Sequence, residues 1–291
     1  MKKQSLPRRI LLMGAAAVFT LFPENYLLSV SEYQVRSEKI PRAFDGYRIC
    51  QLSDLHSKSY GKENCRLLRK IEESHPNLLV LTGDMVTRTD TDHHVFLNLA
   101  EKLAEKYRVY YIVGNHEQEM GRSDLSAYLA QIRKLGIRIL DNEKVELERG
   151  GDHIALYGMW FSLKYYKESK QITRHEEFGR RQMQRTMGEY DPSHYGILLT
   201  HDPLRFPVYA GWGADLTLCG HVHGGMIRLP FGVGLLSPER RFFPKYSGGV
   251  YELDGKKMIV SRGLGSGTFG ARIHNVPEIV NITLRTGQTD G

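Results

Sequence analysis

Val109-Tyr110-Tyr111-Ile112-Val113-Gly114-Asn115-His116-Glu117 is the stretch on which the reading of this 291-residue chain turns. Its opening β-branched and aromatic run reads as a buried strand, and the run stops at a glycine followed at once by Asn, His and Glu. Neighbouring side chains on an extended chain point to opposite sides, so Asn115 and His116 are expected to serve different partners. If one holds a metal, the other faces something else, such as a substrate. A polar turn at a strand end says little alone. The same arrangement, an apolar strand running into a ligand-type residue, recurs four more times.

Tyr47 to Leu52 runs into Ser53-Asp54-Leu55-His56, and Leu78 to Leu81 into Thr82-Gly83-Asp84. Tyr195 to Leu199 ends at Thr200-His201, and Leu216 to Cys219 at Gly220-His221-Val222-His223. Asp54 and His56 stand two apart, so on an extended chain both point to one side, and His221 and His223 repeat that spacing. Helical spacing is read over Lys62 to Ser74, His94 to Lys106 and Ser123 to Leu135. Segments 144–147 and 153–157 flank Gly150-Gly151 as a hairpin, and the tail from Phe242 to Leu284 is strand-rich. Early βαβ units and a later β-rich half predict an α/β fold of two packed sheets with helices outside.

Open α/β sheets gather ligands beyond the carboxyl ends of their strands, which is where these residues fall. Gly83, Gly114 and Gly220 each precede a ligand and let the backbone bend and come close without a Cβ. The donor set is two Asp, one Asn and four His, with no sulfur, which suits Mn, Fe or Zn. Seven ligands exceed one tetrahedral site and fit two divalent ions sharing a bridging carboxylate. His75, His93, His94, His153 and His175 read as structural or surface residues.

Asp54-Leu55-His56, Gly83-Asp84, Gly114-Asn115-His116-Glu117, His201 and Gly220-His221-Val222-His223 resemble the five ordered motifs of the calcineurin-like metallophosphoesterases, across residues 46 to 284. Gly224-Gly225-Met226-Ile227-Arg228-Leu229-Pro230 and Ser261-Arg262-Gly263 resemble a bacterial, envelope-associated phosphodiesterase branch, in which Gln is usual where Met226 stands. The resemblance implies a four-layer αββα sandwich forming a single catalytic domain. It also implies that Asp54, His56 and His223 hold a first metal, that Asn115, His201 and His221 hold a second, and that Asp84 bridges them. A water between the ions would attack phosphorus in line. His116 would stabilise developing charge or protonate the leaving oxygen, and Glu117 would orient His116 or keep it protonated.

Composition is that of a folded globular chain, 41% hydrophobic and 25% charged. The excess of 40 Lys+Arg over 33 Asp+Glu gives a net charge of +7, which suits phosphate esters, nucleic acid or an acidic membrane surface. The three cysteines lack CxxC or paired spacing, so no disulfide framework or thiolate zinc site is indicated, and Cys50 and Cys219 read as core residues. Lys2, Lys3, Arg8 and Arg9 precede an uncharged, mostly apolar run, Ile10 to Phe22. Residues 1–30 therefore read as an export signal or uncleaved anchor, with Arg8-Arg9 loosely resembling a twin-arginine signal. That puts the rest of the chain outside the cytoplasm, exported or anchored at the extracytoplasmic face of the membrane. Residues 31–45 read as a linker and 46–287 as the catalytic domain.

Residues 161–190 interleave Lys164, Lys167, Lys170, Arg174, Arg180, Arg181 and Arg185 with Tyr165, Tyr166, Phe178, Met183 and Met187. This insertion reads either as a lid or surface facing anionic head groups, or as a solvated basic helix. Arg262 and Arg272, in Gly-rich turns, are candidates to grip a phosphate with forked donors. The leading expectation is a two-metal phosphoesterase acting on phosphodiester or pyrophosphate bonds of an envelope lipid or polymer. A nuclease or nucleotide phosphodiesterase is the alternative that the basic charge permits, although export argues against a nucleic-acid target. A catalytically silent metal-binding scaffold is the third.

Overall fold

The computed structural model describes residues 27–166, 178–225, 227–229, 232–237, 242–266 and 272–288. The chain runs through β1 (Ser29–Ser37), β2 (Arg48–Leu52), α1 (Cys65–Glu73), β3 (Leu78–Leu81), α2 (His94–Lys106), β4 (Val109–Tyr111), α3 (Asn115–Gln118), α4 (Arg122–Lys134) and β5 (Arg138–Ile139). It continues through β6 (Glu143–Arg149), β7 (Asp152–Gly158), α5 (Arg180–Met187), β8 (Gly196–Leu199), α6 (Phe206–Trp212) and β9 (Leu216–Cys219). Last come β10 (Ile227–Arg228), β11 (Gly234–Leu236), β12 (Gly249–Leu253), β13 (Lys256–Val260) and β14 (Glu278–Thr286).

Side-chain alternation along the strands builds the layers. In β2, Ile49 faces inward while Cys50 and Leu52 face the helices; in β3, Leu78 and Val80 face inward while Leu79 and Leu81 face outward. Two six-stranded sheets, ordered β1-β14-β2-β3-β4-β5 and β12-β13-β9-β8-β7-β6, bury their inward rows against each other. Helices α1, α2 and α4 cover the first sheet through Leu67, Ile71, Phe96, Leu103 and Ile132. Helices α5 and α6 cover the second through Met183, Phe206, Tyr209 and Trp212. The result is a single domain of helix, sheet, sheet and helix, as expected. Each fully buried Leu or Ile in these rows contributes about 1.5–3 kcal/mol.

Residues 31–45 are not a linker. Strand β1 pairs in parallel with β14 over nine residues, from Ser29 against Glu278 to Ser37 against Thr286. Its polarity belongs to a sheet edge, where one flank has no strand neighbour and few side chains are covered. The remaining strands and helices fall within a few residues of the sequence reading, and the 143–149/152–158 hairpin is present. The expected signal lies almost wholly in residues 1–26, outside the described residues, as do Lys167, Lys170, Arg174, His175 and Met226. Among the described residues no helix is long and apolar enough to cross a membrane.

Candidate metal centre and catalytic site

Parallel pairing of β2, β3 and β4 in one sheet and of β8 and β9 in the other brings five carboxyl-terminal loops to one end of the sandwich. Gln51 ties the sheets there: its buried amide donates to Thr82 Oγ1 and to the Cys219 carbonyl, both at 2.9 Å. Two of the predicted glycines permit the approach of the loops. A Cβ on Gly114 would fall on the Asp84 carboxylate, and one on Gly220 would fall on Ser53 and Asp54.

Local backbone differs from the extended chain expected of these loops. Asp54, His56, Asp84, His221 and His223 all have φ between +49° and +73°, in the left-handed region that non-glycine residues seldom adopt. Such strain persists only where surrounding structure over-determines it, and it clusters at functional sites. Asp54 and His56 thus share a side through a left-handed turn, since β2 ends at Leu52. Asn115 and His116 diverge because they open the helical turn α3.

Six of the seven predicted ligand residues gather in two groups. Asp54, His56 and His223 form one group whose ligand atoms lie within 4.8 Å of one another, and Asp84, His201 and His221 form a second. His223 Nε2 is 3.5 Å from Asp54 Oδ1, and His56 Nε2 is 3.2 Å from His223 Nε2. Asp84 sits between the groups. Its Oδ1 accepts the His116 backbone N–H at 2.8 Å, while its Oδ2 lies 3.1 Å from His201 Nε2 and 3.9 Å from His56 Nε2. Atoms that share one cation at roughly 2.1 Å lie about 3–3.5 Å apart, and the His223–Asp54, His56–His223 and Asp84–His201 spacings fall in that range while His56–Asp84 is wider.

Tautomers support the fit. His201 Nδ1–H donates to the Thr82 carbonyl at 2.6 Å, which aims Nε2 at the carboxylates of Asp84 and Asp54. Positive charge belongs between these atoms, and a metal ion bound through Nε2 would take the place of the proton there. Asn115 Oδ1 is likewise buried without a hydrogen-bond partner. An outer hydrogen bond that fixes a ligating imidazole is a regular feature of metal sites. The residues present therefore fit divalent cations.

Burial governs the ionisation of these groups. It raises the Asp54 carboxyl, lowers His56 to about 3, and pushes His223 well below the usual histidine range. His201 is also buried, which alone would lower it, yet Asp84 and Asp54 hold it up at about 10. For Asp84 burial acts upward, but His201, His116 and His56 hold it well below the ordinary carboxylate range.

His116 lies beside the first group, its ring edge-on to His56 with centroids 4.5 Å apart. Its Nδ1 accepts the Arg88 backbone N–H at 3.3 Å, which places the proton of the neutral ring on Nε2. Glu117 does not orient His116. Its fully buried carboxylate accepts the backbone N–H of Met85 at 2.7 Å, Gly114 at 2.9 Å and Asp84 at 3.0 Å, joining the β3 and β4 loops. Burial and then the Asp84 charge raise its pKa to about 7.

Arg262 and Arg272 are not presented to a phosphate. Arg272 is buried, and its fork is spent on the carbonyls of Gly265, His223 and Arg262. Arg262 Nη2 pairs with Glu278 at 2.7 Å. Arg272 stabilises the loops around His223, because a fork aimed at backbone carbonyls satisfies acceptors that strand ends leave over, while Arg262 ties its own loop to Glu278 at the start of β14.

Sequence reading missed two neighbours. Asn275 Nδ2 donates to the carbonyl of His223 at 2.6 Å, and Asp202 is buried one residue beyond His201. Asn275 carries no motif; Asp202 was visible only as the residue following His201. Tyr166, named within the 161–190 insertion, stands edge-on to His221 with ring centroids 5.3 Å apart. Within the 161–190 insertion, Phe178 and Met183 pack on the second sheet while Arg180, Arg181 and Arg185 are exposed.

The calcineurin-like phosphoesterase family model matches residues 47–225. Among curated relatives, an uncharacterized metallophosphoesterase, YkuE, of Bacillus subtilis is 27% identical over 94% of this chain and 91% of its own length. A Bos taurus transmembrane protein with metallophosphoesterase domain is 25% identical over 88% of this chain and 57% of its own. The Escherichia coli phosphodiesterase YaeI is 24% identical over 73% and 72%. With its ordered ligand residues gathered at one end of the sandwich, the chain belongs to the calcineurin-like phosphoesterases and is a metal-dependent hydrolase of phosphoric esters.

Proposed function

We propose that the enzyme hydrolyses phosphodiester or pyrophosphate bonds of a cell-envelope lipid or polymer, using two divalent ions drawn from Mn, Fe or Zn. The observation that carries this reading is the pair of adjoining ligand groups meeting at Asp84, with the His116 ring alongside. Asp54, His56 and His223 would hold one ion, Asn115, His201 and His221 the other, and Asp84 both. Bound, the two cations would supply Lewis-acid charge for the phosphoryl oxygens and acidify the attacking water.

The chain's own residues do the rest. Buried Asp54 and Asp84 are fixed by backbone N–H groups of His221 and His116, so their free edges are pre-oriented. His116 presents the N–H at Nε2, the atom left open by the Arg88 contact, as a hydrogen-bond donor to the charge that develops on the leaving oxygen. The Tyr166 ring packs edge-on against His221, which restricts how that imidazole can turn. The E. coli relative's name as a phosphodiesterase favours diesters over monoesters.

The test is Mn-loaded full-length protein assayed on bis-p-nitrophenyl phosphate and on the monoester. Faster diester turnover supports the proposal. Monoester preference would make the enzyme a phosphomonoesterase, and silence with metal bound would favour a scaffold.

A further inference from the structure

Immediately after His223, the chain leaves the site through Gly224 and Gly225 and forms a small ribbon. Strand β10 pairs with β11, Leu229 and Val233 close its turn, and Phe242 bridges to Leu236 while the Phe243 N–H donates to the Leu235 carbonyl. Among the described residues six large hydrophobic side chains are exposed, and four of them, Leu229, Val233, Phe242 and Phe243, lie on this ribbon. Phe242 and Phe243 are 70% and 61% exposed, far beyond what a ring keeps when the fold has a use for it. Their sequence setting is Arg240-Arg241-Phe242-Phe243-Pro244-Lys245, aromatic rings between cations. That pattern suits an interface where rings enter the acyl boundary and cations meet anionic head groups.

The start of β1 lies at the same end of the molecule. Arg262 donates to Ser29 Oγ at 3.4 Å, and its Cγ lies 2.9 Å from where a Cβ of Gly224 would stand. Arg228, on the ribbon, donates to the Gly224 carbonyl at 2.8 Å and through its backbone N–H to Ile273. A short chain of contacts therefore links the start of β1 to the ribbon. Leu27 is itself exposed, and the apolar run Ile10 to Phe22 precedes it in sequence.

We infer that the ribbon is a membrane-docking surface: the side chains of Leu229, Val233, Phe242 and Phe243 insert into an anionic phospholipid bilayer. The loop of His223, next to the ribbon in the chain, then opens beside the head groups. The inference rests on the envelope reading proposed above and narrows its substrate to a phosphodiester or pyrophosphate of a lipid still seated in the membrane. The surplus of +7 on the chain favours the same surface.

The test uses the full chain reconstituted into vesicles of phosphatidylcholine and phosphatidylglycerol. In Phe243→Trp the added indole emission, measured against wild type, should be quenched by lipids brominated on the acyl chain and shielded from iodide in the water. Quenching by iodide and not by brominated lipid would overturn the inference. So would shielding from both with cross-linked dimers, since a second copy would then cover the ribbon. The Phe242→Ser/Phe243→Ser variant should hydrolyse soluble bis-p-nitrophenyl phosphate as wild type does, while a Val233→Trp reporter placed in it loses its quenching by brominated lipid several-fold relative to the same reporter in the wild-type ribbon. Loss of soluble turnover in that variant would instead make the rings part of the catalytic fold and overturn docking. Wild-type protein that is quenched by the bilayer yet inert on the diester would sustain docking and remove the phosphodiesterase reading alone.

Discussion

The Glu117 carboxylate accepts the backbone N–H of Asp84 at 3.0 Å, so the residue that would join both ions is held from behind by a second acid. The same carboxylate caps α3 by accepting the Gly114 N–H at 2.9 Å. In Glu117→Gln the amide group must turn a donor toward at least one of these N–H groups. Stability should fall by about 1–3 kcal/mol, the cost of a buried donor left unsatisfied. Chemical denaturation and elemental analysis check this; unchanged stability with unchanged metal content would refute the stapling role.

Asp84→Asn and His116→Ala separate holding metal from using it. Asp84→Asn should lose bound metal along with activity, because the carboxylate charge between the two groups disappears. His116→Ala should keep its metal and lose turnover by about 10²–10⁴-fold, the usual worth of a positioned proton donor. Paired metal analysis and steady-state kinetics decide the matter, and wild-type rates in either variant would sink the assignment.

Gly114→Ala adds one carbon where the Asp84 carboxylate already lies. Relief requires moving Asp84 or the first turn of α3. Overpacking of this kind costs about 1–3 kcal/mol. Metal content should fall more than Tm does, because displacement of Asp84 disturbs both groups at once.

Arg272→Lys retains the charge but not the fork that spans the carbonyls of Gly265, Arg262 and His223. Thermal unfolding should shift down by an amount corresponding to about 2–4 kcal/mol, since buried acceptors lose partners. A variant with native Tm and a raised KM would instead return Arg272 to the role of phosphate clamp.

Asp215 accepts from Lys256 at 2.6 Å, Tyr190 at 2.6 Å, Lys39 at 2.8 Å and the Gly196 N–H at 2.9 Å. Burial alone would raise its pKa, but Lys256, Lys39 and Tyr190 hold it below the ordinary carboxylate value. A depressed folded pKa gives stability that is complete above the unfolded pKa of about 3.9 and is lost as pH falls through the folded value. Asp215→Asn should therefore be less stable than wild type at neutral pH, with the gap closing below about pH 4. Urea titrations at pH 7 and at acid pH measure it, and a gap that widens with acid would be contrary.

The fold class and the candidate ligands that the strand ends offer were legible in the sequence because buried parallel strands are written as short apolar runs, each ending where a polar residue must begin. Helix α2 could be read to its ends, His94 to Lys106, from its apolar spacing. Strand β1 could not, because an edge strand buries too little to carry an apolar signature. The geometry of the ligands was also out of reach. An extended chain would put Asp54 and His56 on one side by alternation, but the left-handed turn that does so is held by backbone hydrogen bonds to Gly83, Asp84 and Gly265 from distant loops.

The local sequence determined which side chains the strand ends offer, since periodicity and turn chemistry act over a few residues. Tertiary structure alone decided what each then does. Glu117 turned to backbone amides, and Arg262 and Arg272 to Glu278 and loop carbonyls, because a buried charge takes the nearest partners that compensate its lost hydration, and those partners come from parts of the chain far away in sequence.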